Sequence, residues 1–262
     1  MADNNNTSKV VGLLRHMAEV ASRGIVLRRR LPRHFGRKAM YVSPECGLRY
    51  WHRDLGKVDP SLLRMVDRYV QKGDVVWDVG ANVGLFGFAT AQRAARVVLF
   101  EPDPWLARLL EKTAASYNNV SVVRAAVSDY CGSGTLHIAA RARASNFLQG
   151  NGSTQSGGQR HVETVRVLTL NSLPPPYPNV LKVDVEGAEA AVLRAATRIL
   201  AEYPTIICEV SSENTAVVTA LLGDYALCDG ETGRSVSAAT WTTVAIPRRR
   251  AEKLQAFDRT AC

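Results

Sequence analysis

The sequence predicts an α/β fold: a seven-stranded, mostly parallel sheet with helices on both faces, plus a small N-terminal helical and hairpin cap. Three observations carry this. From Gly73 onward short apolar runs alternate with helix-length segments, the pattern of parallel strands joined by crossover helices. One of those runs, Val75–Val79, passes directly into a glycine turn and then a helical pattern. A chain of 262 residues, 46% apolar and 22% charged, is also long enough to bury a core without disulfide or metal staples.

Taken in order, Val10, Leu13, Leu14, Met17, Val20 and Ala21 recur at three- and four-residue steps, which predicts an amphipathic helix over 9–23. Its stripe would pack on its own domain or on a second subunit of a homo-oligomer. Short strands at Met40–Val42 and Gly47–Trp51 flank a turn at Pro44–Gly47, and Pro60 opens a helix over 60–71. The sheet strands are expected at Val75–Val79, Val97–Phe100, Val120–Arg124, Val180–Val185, Thr205–Val210, Tyr225–Cys228 and Trp241–Ile246, with helices near 85–94, 104–117, 187–202 and 213–222. Residues 139–160, rich in Gly, Ser, Asn and Gln, read as a flexible lid or binding loop, and Pro174–Pro178 as a stiff connector. The division is a cap and basic segment over 1–72, a main domain over 73–247 and a basic C-terminal tail over 248–262.

The formal charge is +9, yet residues 1–60 alone hold 12 Lys and Arg against 5 Asp and Glu. The densest part is Arg28, Arg29, Arg30, Arg33, Arg37 and Lys38. Such a run attracts phosphates, an acidic carrier protein or anionic lipid, although a solvated basic face is the commoner outcome. Cys46, Cys131, Cys208, Cys228 and Cys262 form no C-x-x-C pair, which argues for reduced thiols in a cytoplasmic protein. No apolar stretch reaches the length of a membrane span, and Met1–Ser8 is too polar for an export signal.

The chemistry is expected at the turn after Val75–Val79, the crevice at the strands' carboxyl ends where open parallel sheets bind ligands. Gly80 and Gly84 allow close approach of a ligand to the backbone. Asn82 and Leu85 stand where a nicotinamide-dinucleotide fingerprint needs glycine, and no Gly-Lys-Ser/Thr phosphate loop is present. What remains is Asp78 before the turn and Glu101 at the end of the next strand, a carboxylate placed to accept both hydroxyls of a ribose.

With these residues the sequence resembles class I S-adenosylmethionine-dependent methyltransferases, whose sheet is Rossmann-like. Leu181–Glu189, reading LKVDVEGAE, looks like the signature strand of the FkbM family, and Phe100-Glu101-Pro102 and Ala126-Val127-Ser128-Asp129 fit the same pattern. The resemblance covers roughly 73–246 and departs at Asn171, where the family usually has Asp. It implies S-adenosylmethionine as cofactor, with Asp78, Gly80, Asn82 and Gly84 around the amino-acid end, Glu101 on the ribose, and Ser128 and Asp129 near the adenine. In that family Ser145, Asn146 and Phe147 resemble the region that approaches the acceptor.

Methyl transfer to an alcohol needs alignment of the acceptor and removal of a proton by a base or a metal. Asp184 and Glu186 end the fourth strand and Glu209 the fifth, so their carboxylates are expected to converge on one pocket. Asp184 and Glu186 are the candidate catalytic acids, and Asp184 with Glu209 the candidate ligands of magnesium, which oxygen donors suit. Lys182 is expected to pair with one of these acids, since an unpaired ammonium inside a buried strand is costly. His161 and His137, flanking the flexible segment, are alternative bases. The resulting expectation is O-methylation of a hydroxyl on a small natural product or sugar. Two alternatives stay open: an RNA or N-directed methyltransferase, and a non-catalytic S-adenosylmethionine-binding protein. Nucleic acid is disfavoured, because Phe35 and Tyr41 stand nearly alone as aromatics in the basic segment.

Overall fold

A computed structural model describes residues 15–151 and 156–248. The proposed C-terminal tail beyond 248 and the start of the N-terminal helix lie outside these residues. Helix α1 (residues 15–21) leads to strands β1 (Leu27–Arg30) and β2 (Ala39–Val42), and then to helix α2 (Pro60–Tyr69). The next elements are β3 (Val75–Val79), α3 (Leu85–Thr90), β4 (Arg96–Phe100), α4 (Pro104–Ala114) and β5 (Val120–Val123). Four strands follow with no α-helix between them among the described residues: β6 (Ala126–Val127), β7 (Gly132–Ala139), β8 (Phe147–Leu148) and β9 (Gln159–Leu168). The chain then resumes its alternation with β10 (Val180–Val183), α5 (Glu189–Arg194), α6 (Thr197–Ala201), β11 (Thr205–Glu209), α7 (Thr215–Leu221), β12 (Tyr225–Asp229), β13 (Ser235–Val236) and β14 (Thr242–Pro247).

The main sheet runs β13-β12-β14-β11-β10-β3-β4-β5. All seven expected strands are in it, and an eighth, the two-residue β13, is added at one edge. From β5 through β11 neighbours are parallel, whereas β14 is antiparallel to both β11 and β12. The order reverses between β3 and β10, whose carboxyl ends therefore open the crevice in which open α/β sheets place ligands.

Strand alternation divides the core into two layers. Val76, Val97, Leu99, Val180 and Ile207 pack with Phe86 and Phe88 of α3 and Leu106 and Leu110 of α4. Trp77, Val79, Val98, Phe100, Leu181, Val183 and Ile206 pack on the other face with Val192 and Leu193 of α5, Ile199 of α6, and Val218 of α7. Leu31, Phe35, Met40, Val42, Tyr50 and Leu55 from the N-terminal segment belong to the first layer. The cap thus shares the main domain's core.

Several expectations need correction. The hairpin of the cap joins β1 to β2, pairing Leu27 with Val42, while Leu48–Trp51 forms a 3-10 turn. The arginine run is therefore a strand, because alternation leaves Arg28 and Arg30 exposed and sets Leu27 and Arg29 partly inward. The segment read as loop is largely a second sheet, ordered β6-β9-β7-β8, with its own core of Ala126, Leu136, Ile138, Leu148, Val165 and Val167. The single helix expected over 187–202 is two short ones. Asn171 explains the break: its Oδ1 accepts the Arg198 amide at 3.0 Å and its Nδ2 donates to Thr197 Oγ1 at 2.8 Å, capping α6 from outside. In the described part of α1, Met17 and Val20 remain exposed.

The cap, the main sheet and the second sheet meet in one buried ionic cluster. Arg143 donates from Nε to Glu45 Oε1 at 2.7 Å and from Nη1 to Asp103 Oδ2 at 2.5 Å, and stacks over Trp105. Arg160 reaches the same Glu45 oxygen at 2.8 Å, and Asn146 Nδ2 donates to Asp103 at 2.8 Å. Burial pushes the Glu45 carboxyl up, but the Gly24 amide, Arg160 and Arg143 together hold it below the ordinary value. An acid lowered on folding stabilises the fold above its unfolded value, and that contribution is lost as pH falls through its folded value. Replacing Arg143 by Met, which takes the cation from buried Asp103 and leaves Glu45 with Arg160 alone, is expected to lower the unfolding free energy by about 3–5 kcal/mol in urea titrations at neutral pH. The gap to the wild type should narrow below about pH 4.5, where Glu45 begins to protonate in the unfolded chain.

Candidate active site

The glycine turn after β3 is forced by the protein's own packing. Gly80 has φ +76°, and a Cβ there would collide with the backbone carbonyl of Asp184 on the neighbouring segment. Its amide and that of Ala81 both donate to the Phe100 carbonyl at 3.0 Å, which folds the turn back over β4. At Gly84, φ +82°, a side chain would meet Phe88 and Leu110. Both glycines are thus required by neighbouring protein atoms, and only Gly80 borders the cavity described next.

A cavity of about 240 Å³ opens at the carboxyl ends of β3, β4, β10 and β11. Gly80, Asn82 and Glu101 form one wall, Asp184, Glu186 and Glu209 another, and Ser145, Asn146 and Phe147 of the second sheet's loop a third. The carboxylates of the fourth and fifth strands and the loop residues therefore converge as the sequence predicts. Glu101 is 5% exposed; its Oε2 accepts the Asn82 amide at 2.8 Å and its Oε1 the Asp103 amide at 2.9 Å. Burial, reinforced by the charge of Asp103, pushes this carboxyl up to about 8. Asn82 sits at φ +54°, and its side-chain oxygen is buried without a hydrogen-bond partner.

Beneath the cavity lies Lys182, placed opposite Asp78 by the β10–β3 register and on the same sheet face. Its Nζ donates to Asp184 Oδ2 at 2.9 Å and lies 3.6 Å from Asp78 Oδ1. Burial opposes this ammonium more than any single neighbour favours it, yet Asp184, Asp78 and Glu209 together hold it above the ordinary lysine range. Burial likewise pushes Asp78 up, against the pull of Lys182. Asp78 Oδ2 accepts the Gly87 amide at 3.1 Å, pinning the start of α3.

Glu209 ends β11 and lines the cavity beside Asp184. The like charge of Asp184, then burial, raises its carboxyl to about 8. Glu186 is held at φ +41°, a left-handed conformation that non-glycine residues rarely adopt, at the turn into α5. Glu189, by contrast, is a structural acid, accepting from the Gly187 amide at 2.7 Å, Asn214 at 2.6 Å and Ser211 at 3.1 Å.

Other expectations are displaced. Asp78 and Gly84 do not line the cavity; Asp78 is 1% exposed and engaged with Lys182. Ser128 and Asp129 also miss it, because the chain borders the cavity at Ala125, Ala126 and Val127, just before them. Ser128 is buried with its amide on Leu168, and Asp129 is exposed. His161 stands on the exposed side of β9, 3.4 Å from Glu163, and outside the cavity wall. His137 stacks on Phe147 at 4.9 Å between ring centroids and is not among the residues lining the cavity. Among the described residues no group of three or more Asp, Glu, His or Cys is arranged to hold a metal ion. At the proposed magnesium pair, the Lys182 ammonium is the cation that meets Asp184. Sequence reasoning missed Arg49, Arg143 and Trp241 on the wall. Arg49 was hidden among the basic residues of the cap, and Trp241 read simply as the start of a strand.

The profile of the methyltransferase FkbM domain matches residues 78–226. The hexuronic acid methyltransferase AglP of Haloferax volcanii is 31% identical over 178 residues, which are 67% of this chain and 72% of that protein. Among solved structures, the methyltransferase FkbM of Methylobacillus flagellatus KT overlays with a TM-score of 0.45 at 14% identity, over 70% of this chain and 50% of that one. The chain thus spans half of that structure. A precorrin-6y C5,15-methyltransferase of Geobacter metallireducens GS-15 overlays at 0.41 and 15% identity, over 72% and 88% of the respective chains.

Replacing Lys182 with Met leaves Asp78 and Asp184 facing each other without a cation, and is expected to cost about 3–5 kcal/mol of stability. Adding Asp184→Asn should recover part of that loss, so the double variant will be more stable than the sum of single effects implies, read by urea denaturation as a double-mutant cycle.

Proposed function

Because the chain belongs to the FkbM methyltransferase family, we propose that it is an S-adenosylmethionine-dependent O-methyltransferase acting on a hydroxyl of a small carbohydrate or related metabolite. The observation that carries this reading is the convergence of Asp184, Glu186 and Glu209 with Gly80, Asn82 and Glu101 on one cavity. Similarity to a protein that methylates a hexuronic acid supports the acceptor class.

The residues present suit the cofactor. The unpartnered Asn82 oxygen needs a donor, and each Glu101 oxygen, already accepting one amide, keeps a lone pair for a ribose hydroxyl. A carboxyl raised to about 8 by burial is drawn to its ionised form by such donors. When bound, S-adenosylmethionine supplies an electrophilic methyl on a sulfonium.

The protein's own task is to hold the acceptor oxygen in line with that methyl, exclude water and take the hydroxyl proton. Glu209 fits the last role. Its carboxyl, raised to about 8, titrates near the pH of the cell, where a base is both available and strong enough to accept. One Asp184 oxygen is already engaged by Lys182, so Asp184, with Glu186, serves to orient the hydroxyl. As oxygen gains the methyl, its proton passes to Glu209. No metal ion is part of this reading.

The test is turnover of S-adenosylmethionine by the full chain with a panel of hydroxylated sugars, followed as release of the demethylated product; no turnover on any would overturn it. Glu209 is protonated below about 8, so kcat/KM is expected to rise with pH through that value and level off above it. Glu209→Gln should lower kcat by about 10²–10⁴ and make the rise of kcat/KM shallower, with Glu101 alone left to titrate near 8, measured by initial rates across pH 6–9.5.

A further inference from the structure

Two residues of the cavity wall lie outside the segment matched by the family, and they differ in kind from the carboxylates around them. Arg49 belongs to the cap, on the 3-10 turn Leu48–Trp51, and Trp241 immediately precedes β14. The Trp241 carbonyl accepts the Val210 amide at 2.7 Å, which holds this residue beside the end of β11 and next to Glu209. Asp184, Glu186, Glu209 and Trp241 also share a smaller adjoining cleft.

Trp241 is 52% exposed, which leaves much of its apolar indole surface uncovered. Arg49 is half exposed as well. Its Nη1 donates to Asp59 Oδ2 at 3.0 Å, and among the described residues no other hydrogen bond or ion pair engages its guanidinium. Nη2 and Nε therefore keep donors, in the forked geometry that matches an oxyanion. Arg143, the other arginine on the wall, is spent on Glu45 and Asp103.

We infer that Arg49 and Trp241 form the acceptor clamp and that the acceptor is an anionic sugar-sized ring, its apolar face on the indole and its oxyanion on the guanidinium. This rests on the reading of the cavity as a methyl-transfer site. The proton-accepting Glu209 then stands beside the ring platform, where a ring hydroxyl needs it.

The experiment is calorimetric binding of methyl glucuronoside, glucose 1-phosphate and uncharged methyl glucoside to the full chain saturated with S-adenosylhomocysteine. At least one anionic probe is expected to bind about tenfold more tightly than the glucoside, and the tighter of the two identifies the oxyanion as carboxylate or phosphate. Arg49→Gln should erase that preference with S-adenosylhomocysteine affinity unchanged and the melting temperature lowered by no more than a few degrees, the cost of losing the part-exposed pair with Asp59. Arg49→Lys, which can still reach Asp59, should lose most of it for want of the fork. Trp241→Ala should weaken all three probes by about tenfold, and Trp241→Phe should restore part of that. Equal affinity for charged and uncharged probes, a preference that survives Arg49→Gln, or no binding of any probe would overturn the clamp. Failure of the unaltered protein to bind S-adenosylhomocysteine would instead sink the underlying reading.

Discussion

The architecture of the cavity depends on one buried cation. Lys182 stands on a central strand where alternation sends its side chain into the layer of Val76, Phe86 and Leu99, and an ammonium there is tolerable only with partners at hand. Asp78 in register on β3 and Asp184 two residues onward supply them. Three demands are met at once. β3 and β10 are locked at the reversal of strand order, Asp78 is free to pin the start of α3 through the Gly87 amide, and Asp184 is drawn to the cavity floor. The Gly80 turn is the steric counterpart of this electrostatic link, since only a residue without a Cβ passes beneath the Asp184 carbonyl.

The same economy organises the cavity's far side. Arg143 belongs to the second sheet's loop, Glu45 to the cap and Asp103 to the start of α4, and the three are buried against each other. Asp103 also accepts the Trp105 amide at 2.8 Å as the N-cap of α4, and Asn146 holds it from the loop. The wall residues Ser145 and Phe147 flank Asn146, so the loop that borders the cavity is fixed by charge pairing with two separate units. A segment read from composition as a flexible lid is instead anchored at its base.

What was legible in the sequence follows from this division. The strands of the main sheet announce themselves because burial on both faces makes each a nearly continuous apolar run. Glu101, Asp184, Glu186 and Glu209 were legible because strand ends fix where a side chain emerges. The second sheet was not, since β9 alternates exposed and buried positions weakly until Val165 and carries Arg160, His161 and Glu163 on its way. Nor was the retreat of Asp78 from the cavity legible. A carboxylate before a glycine turn reads as a ligand-binding group, and only the register that sets Lys182 opposite shows that its partner is internal. Asn171 was visible as a departure from the family pattern, but its role as the external cap of α6 is a tertiary fact.

The charge inventory explains how one small cavity can tolerate several acids. Glu101 and Glu209 are both raised to about 8, the first mainly by burial and the second mainly by the charge of Asp184. Both are therefore shifted toward the protonated form in the free protein, while Lys182 counters Asp184. The free cavity is less negative than its residue list suggests. On the proposed reading, hydrogen-bond donors arriving at Glu101 favour its ionised form, and a cationic sulfonium nearby favours ionisation of Glu209 as well. On that reading a bound donor would favour the ionised base, and proton release would accompany cofactor binding. Arg49 hydrogen-bonds only Asp59 among the described residues, although the charges of Glu209 and Asp184 also favour its guanidinium; on the clamp reading, an anionic acceptor would take up donors that make no hydrogen bond within the protein.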